Sequence, residues 1–229
     1  MQSESAEAMA LVTVWDWALR VFHWALVLLF VVAYLSGVTP GYYGLHKAAG
    51  YGILGLLIFR FIWGFAGPKP SRFAGFIKGP AAALAHLREL LRRKHRPMPG
   101  HNPLGGWAVV AILGLLLLQA ISGLFASTFD YEGPLSGLLS DAGQDWMARI
   151  HAFAIDPLLA LLAVHLLGIA ATSILGGENL VASMIHGRKR LAAADAVGIE
   201  SVSWWRAPLA IALAALAVWL LLSVPRAAG

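Results

Sequence analysis

Cysteine is absent from all 229 residues. That excludes disulfides, thiolate metal sites and the Cys-x-x-Cys-His attachment of a c-type haem. Any metal would have to be held by His, Met, carboxylate or tyrosinate. Charge is scarce as well, at 13% of residues, while 59% are hydrophobic and mean hydropathy is +0.72. A water-soluble domain of this length does not need so much apolar residue, so the composition is that of a membrane protein. The chain also lacks the basic n-region and small-residue cleavage site of a signal peptide. Residues 1–9 are polar and acidic, with Glu4 and Glu7, so the first apolar segment is expected to be retained as a transmembrane helix. There is no internal repeat, no low-complexity tract and no nucleic-acid motif. The net charge of +5 reads as basic loops on one side of a membrane.

Five segments approach the ~20 apolar residues that cross a hydrocarbon core: about 17–37, 46–66, 105–126, 150–175 and 208–224. The fold class expected is an all-α membrane protein. Residues 1–191 would form a four-helix transmembrane bundle, and residues 192–229 a polar linker and a fifth C-terminal transmembrane helix without titratable side chains. The loop 67–104 carries Lys69, Arg72, Lys78, Arg88, Arg92, Arg93, Lys94 and Arg96 against Glu89 alone, and the next loop on the same side carries Arg188, Lys189 and Arg190. The loop 127–149 instead carries Asp130, Glu132, Asp141 and Asp145 against Arg149. The positive-inside rule places the basic loops and the N-terminus in the cytoplasm and the C-terminus outside. The acidic loop is either a docking surface for a basic partner or simply solvated. Residues 80–96 form an amphipathic segment, with Leu84, Leu87, Leu90 and Leu91 at helical spacing, suited to the inner leaflet. Trp15, Trp17, Trp24, Trp63 and Trp107 lie near helix ends and read as interfacial anchors.

Of eight histidines, His86, His95, His101 and His186 fall in basic loops and are expected at the solvated surface. His23, His46, His151 and His165 fall within apolar segments, where ionisable groups are costly and point to function; alone, any one of them could serve an interhelical hydrogen bond. His151 and His165 share a helix and are fourteen residues apart. That is about 21 Å of rise, and fourteen steps of 100° end 40° short of four full turns. Two imidazoles on one face, near opposite leaflets, suit two haems stacked across a bilayer. Depth and topology then pair His46 with His151 at the outer side and His23 with His165 at the inner side. Two imidazoles per iron suit electron transfer rather than oxygen binding.

Haem propionates need donors. Arg60 lies fourteen residues after His46 in an apolar run, so it shares that face at the depth of the inner pair, where it meets either a propionate or, by snorkelling, the headgroups. Arg20 is a second inner candidate. Lys47 and Arg149 flank the outer ligands and serve either as propionate partners or as interfacial anchors. Gly37, Gly50, Gly52, Gly55, Gly114 and Gly123 would let a flat macrocycle, or another helix, lie close to backbone. Gln119 is a lone polar residue in the third segment, open to a histidine Nδ1, a quinone or a backbone group.

Several stretches together resemble one family: Trp15-Asp16-Trp17-Ala18-Leu19-Arg20-Val21-Phe22-His23-Trp24, Leu45-His46-Lys47-Ala48-Ala49-Gly50-Tyr51, Phe59-Arg60-Phe61-Ile62-Trp63-Gly64, His101-Asn102-Pro103-Leu104-Gly105-Gly106-Trp107, and Gly177-Glu178-Asn179-Leu180 through Gly187-Arg188-Lys189-Arg190. Over residues 14–191 the chain resembles the bacterial cytochrome b561 proteins and the b-type cytochrome subunit of nickel–iron hydrogenases. The resemblance implies a four-helix core with two bis-histidine haems b on His23, His46, His151 and His165. It implies electron transfer in the cytoplasmic (inner) membrane between membrane quinone and a periplasmic partner, a c-type cytochrome or a hydrogenase-like enzyme, as part of a respiratory chain. The fifth apolar segment departs from the family's four-helix pattern.

Two other classes compete with a membrane electron carrier. A stand-alone quinone or superoxide-to-quinone oxidoreductase would use the same four histidines and differ in reducing quinone unaided. A transporter or structural anchor would bind no haem. Assembly into a homodimer, the redox partner and the direction of electron flow stay open at this level.

Overall fold

The computed structural model describes residues 9–92, 98, 100–193 and 202–223. Strand β1 (Met9–Thr13) leads into helix α1 (Trp17–Val38), and a short turn joins α1 to α2 (Tyr43–Ala66). The single turn α3 (Phe73–Phe76) and the helix α4 (Pro80–Leu91) follow, then α5 (Pro103–Phe125), α6 (Asp141–Gly176), α7 (Leu180–His186), β2 (Arg188–Ala192) and α8 (Arg206–Leu222). Among the described residues, four helices, α1, α2, α5 and α6, are long and apolar enough to cross a membrane. Their outward faces expose large apolar side chains such as Leu28, Phe61, Phe153, Leu167 and Ile174, the surface a lipid environment requires.

Local chemistry fixes where these helices begin. The Asp16 carboxylate accepts from the Leu19 N–H at 2.9 Å and caps α1. Asn102 caps α5 through the Gly105 N–H, with Pro103 at the first helical position. Ser140 caps α6, whose first turn holds Asp141 against the positive end of the helix dipole. Gly177 and Gly187 end α6 and α7 at φ 68° and 78°, a left-handed conformation that glycine adopts without steric cost.

The helices pack as two hairpins, α1 on α2 and α5 on α6, joined where α2 meets α5; α8 packs on the far side of α2. At the basic end of the bundle, β1 and β2 pair antiparallel, with Met9 opposite Ala192 and Thr13 opposite Arg188. The Val14 and Trp15 N–H groups continue this pairing to the Gly187 carbonyl. The acidic end is closed by the segment between α5 and α6, where Ser127 bridges Glu132.

Several expectations change. The fold is not purely α: a two-stranded ribbon that the apolar pattern does not signal ties the N-terminal segment to the end of α7. Helix α6 has 36 residues, about 54 Å at the α-helical rise. It starts nine residues before the apolar stretch because its first turns are polar and capped. Helix α8 has 17 residues and falls short of the other four in length. Trp15 and Trp63 are not interfacial: both are buried, and Trp63 Nε1 donates to the Asp16 carboxylate at 3.2 Å. In α4 the buried stripe is Ala83, His86 and Leu90, leaving Leu84, Leu87 and Leu91 exposed. Residues 93–96 of the amphipathic segment, His95 and residues 194–201 of the linker lie outside the described residues.

Candidate functional site

At the acidic end the two hairpins leave a cavity of about 530 Å³ between them, a size typical of a small-molecule or cofactor site. His46 enters it from α2 and His151 from α6. Their ring centroids are 5.9 Å apart and their planes nearly perpendicular, at 86°. One metal ion between two imidazoles, with metal–nitrogen bonds of about 2 Å, sets centroids about 6 Å apart. The spacing therefore fits a single metal ion held between the two rings.

Each ring is oriented by a carbonyl from the other helix of its own hairpin. His46 Nδ1 lies 2.8 Å from the Ala33 carbonyl oxygen on α1, and His151 Nδ1 lies 2.8 Å from the Gln119 carbonyl oxygen on α5. Only an N–H can bond a carbonyl, so Nδ1 carries the proton and Nε2 is left as the metal-binding lone pair. Ser122 Oγ stands 3.2 Å from His151 Nδ1 while donating its own proton to the Leu118 carbonyl at 2.7 Å. The glycine one turn beyond each accepting carbonyl makes room for the ring. A Cβ on Gly37 would sit 2.8 Å from His46 Nδ1, and one on Gly123 would sit 2.9 Å from His151 Cε1.

A roof residue that sequence reading missed is Tyr131. Its ring lies edge-on to His46 at 6.2 Å, and its hydroxyl donates to the Gly123 carbonyl at 2.7 Å. Burial, with a smaller contribution from Tyr51, pushes the Tyr131 phenol up to about 12. It is therefore protonated at physiological pH. Nothing in its local sequence marks it, because the contact depends on Gly133 folding the chain back over the end of α5: a Cβ there would collide with the Leu124 carbonyl. Lys47 lines the cavity with its Nζ 5.7 Å from the Tyr131 ring, whereas Arg149 faces the opposite side of α6, over the Trp146 ring at 6.0 Å. The structure thus brings Lys47, and not Arg149, to the cavity. Gln119 contributes its backbone to His151, while its side-chain Oε1 is buried without a hydrogen-bond partner.

At the basic end, His23 on α1 and His165 on α6 lie within electrostatic reach of each other. His23 Nδ1 is buried with no hydrogen-bond partner, unlike the Nδ1 atoms at the other end. Arg60 is only 2% exposed; its guanidinium stacks over Phe73 at 4.6 Å, and both Nη atoms are buried without a partner. Its nearest acid, Asp16, spends its oxygens on Leu19 N, Trp63 Nε1 and the Ser71 hydroxyl. Arg20 donates through Nη1 to the Ile185 carbonyl at 2.6 Å, and its Nε stays buried and unpartnered. Buried donors without acceptors are costly, the more so when charged. This end therefore suits an anionic group.

Two of the four histidines expected at the surface are not there. His86 is buried on α4. His101 is wedged between the Trp15 and Phe76 rings, 4.6 Å from each. Burial first, then the positive charges of Arg60 and Lys189, bring its imidazole down to about 3, so it is neutral at physiological pH. His186 is exposed, as expected.

Among the described residues, no three His, Asp or Glu side chains converge as a self-contained metal site would require. A facing imidazole pair such as His46–His151 suits a metal that arrives with ligands of its own. A porphyrin iron meets that requirement, and the apolar cavity wall, the two glycine-backed imidazoles and the orphaned cations at the basic end all fit haem. Compared with known proteins, residues 14–187 match a family model described as prokaryotic cytochrome b561. No curated protein and no solved structure matches.

Proposed function

The chain belongs to the prokaryotic cytochrome b561 family, b-type cytochromes of membrane electron transfer, and on that premise we propose that it is a di-haem carrier passing electrons between an external redox partner and membrane quinone. The observation that carries this reading is the His46–His151 pair: centroids 5.9 Å apart, both Nδ1 atoms bonded to carbonyls, both Nε2 atoms left for iron. Haem, when bound, supplies one-electron chemistry that no side chain here could supply.

The protein's own part is positional. His46 and His151 bind the outer haem, with Lys47 as its propionate partner. His23 and His165 bind the inner haem, about 21 Å deeper along α6, with Arg60 and Arg20 facing its propionates. The carbonyls of Ala33 and Gln119 hold the outer imidazoles in one tautomer. Tyr131 keeps water from His46.

The basic loops and the β1–β2 ribbon face the cytoplasm by the positive-inside rule, and the acidic loop faces outward in an inner membrane. There Asp130, Glu132, Asp141 and Asp145 are all exposed, as is Phe129, a composition that favours a basic electron-transfer protein such as a c-type cytochrome. Helix α8, about 25 Å long and packed on α2, serves as a fifth span.

The test is a reduced-minus-oxidised visible spectrum of detergent-purified protein, with haem quantified as its pyridine adduct. Two b-type haems per chain are expected. Protein from haem-replete cells that contains none would overturn the reading.

A further inference from the structure

The orphaned groups at the basic end are not scattered. Arg60 stacks over Phe73 at 4.6 Å and lies 5.8 Å from Phe76; Phe76 in turn packs on the His101 ring at 4.6 Å. His101 lies within electrostatic reach of Arg60, His165 and His23. A guanidinium with two unpartnered Nη groups and an imidazole with an unpartnered, buried Nδ1 therefore pack against the same Phe76 ring.

That arrangement is built rigidly. Trp15 and Phe76 hold the His101 ring on two sides. Gly106 lets the start of α5 press on Phe76, since a Cβ there would lie 2.6 Å from the Phe76 carbonyl oxygen. Lys189 fixes the chain leading to His101, with Nζ 3.3 Å from the Met98 carbonyl and 3.4 Å from that of Gly100 while it pairs with Glu178 at 3.0 Å. Such bracing is unneeded for a surface histidine. A guanidinium and a neutral imidazole nitrogen, both buried and both without a partner, can together hold a carboxylate.

Resting on the reading of His23 and His165 as ligands of the inner haem, we propose that His101 and Arg60 form a clamp for one carboxylate, an inner-haem propionate, with Arg60 supplying charge and His101 a directional Nδ1–H donor. Both donors would meet that carboxylate at the basic end of the bundle. The clamp also explains why the Nδ1 of a histidine in a basic loop is buried at all.

The test uses the full-length holoprotein from cells fed 5-aminolevulinate labelled with carbon-13 at C1, which places the label in the haem propionate carboxyls. Redox-difference infrared spectra are recorded at potentials that isolate the inner haem. His101→Phe keeps a ring between Trp15 and Phe76 but removes the donor; His101→Gln restores an N–H. The expected result is a shift of the labelled carboxylate bands in His101→Phe and in Arg60→Gln, with His101→Gln close to wild type. Loss of the inner haem in His101→Phe and its retention in His101→Gln would carry the same meaning. Unmoved bands in His101→Phe, or Gln and Phe variants equally displaced or equally haem-depleted, would overturn the clamp. Haem counts from the same samples keep the two ideas apart: two haems with unmoved bands sink only the role of His101, whereas haem-free wild-type protein sinks the cytochrome reading itself.

Discussion

Gly37 on α1 and Gly123 on α5 stand against His46 and His151 in the same way. Each lies four residues after the carbonyl that accepts the opposing imidazole Nδ1–H, and a Cβ on either would press into that ring at 2.8 or 2.9 Å. The two hairpins thus present matching half-sites. Gly37→Ala and Gly123→Ala are expected to displace the outer ligands and cut haem content from about two to about one per chain, or to shift the outer haem's potential, while Gly114→Ala, which meets nothing within 4 Å, leaves both haems in place. Potentiometric titration with haem quantification reads the difference.

The pairing of the four histidines makes its own prediction. Alanine at His46 or at His151 removes one spectral component, and alanine at His23 or at His165 removes the other. Should His46→Ala and His165→Ala abolish the same component, the assignment by depth is wrong.

Tyr131 ties the roof of the outer site to the backbone behind His151. Its raised pKa means the folded protein holds the phenol proton more tightly than the unfolded chain. The associated stability is fully present below about pH 10, the unfolded value, and is lost as pH rises toward about 12. Tyr131→Phe is expected to cost about 1 kcal/mol at neutral pH through the lost hydrogen bond to Gly123 and to flatten the alkaline decline. Thermal unfolding in detergent at pH 7 to 11 measures both effects.

Asp16 joins three elements: it caps α1, and it accepts from Trp63 of α2 and from Ser71 in the following turn. Losing a cap and two charge-assisted bonds together is expected to destabilise Asp16→Ala by at least about 2 kcal/mol, with Asp16→Asn milder because it keeps an acceptor oxygen. The midpoint of thermal unfolding should fall in that order. An unchanged midpoint in Asp16→Ala would show that this junction adds nothing to stability.

Much of the molecule was legible in the amino-acid order. Long apolar runs dictate the four crossing helices, since backbone groups in hydrocarbon must be satisfied within the segment. The fourteen-residue spacing of His151 and His165 sets one face and two depths by helix geometry alone. The burial of Arg60 and the charge contrast between the loops were likewise read without coordinates.

Other features depended on chain segments meeting in space. The ribbon joins residues nearly 180 positions apart, so neither strand carries a local signal. Arg149 and Lys47 each adjoin a histidine, yet only helix rotation decides that Lys47 lines the cavity and Arg149 lies on the far side of α6. His101 reads as solvated because its neighbours in sequence are polar and basic; Trp15 and Phe76, brought in from elsewhere in the chain, pack on its ring and leave it half-buried. Composition and periodicity determined which helices are long and apolar enough to cross a membrane and how far apart the histidines lie along them, because those follow from hydrophobicity and the rise of a helix. Which side chains face one another there, and which polar atoms are left needing an acceptor, only tertiary packing decided, because those depend on contacts between elements that no local pattern encodes.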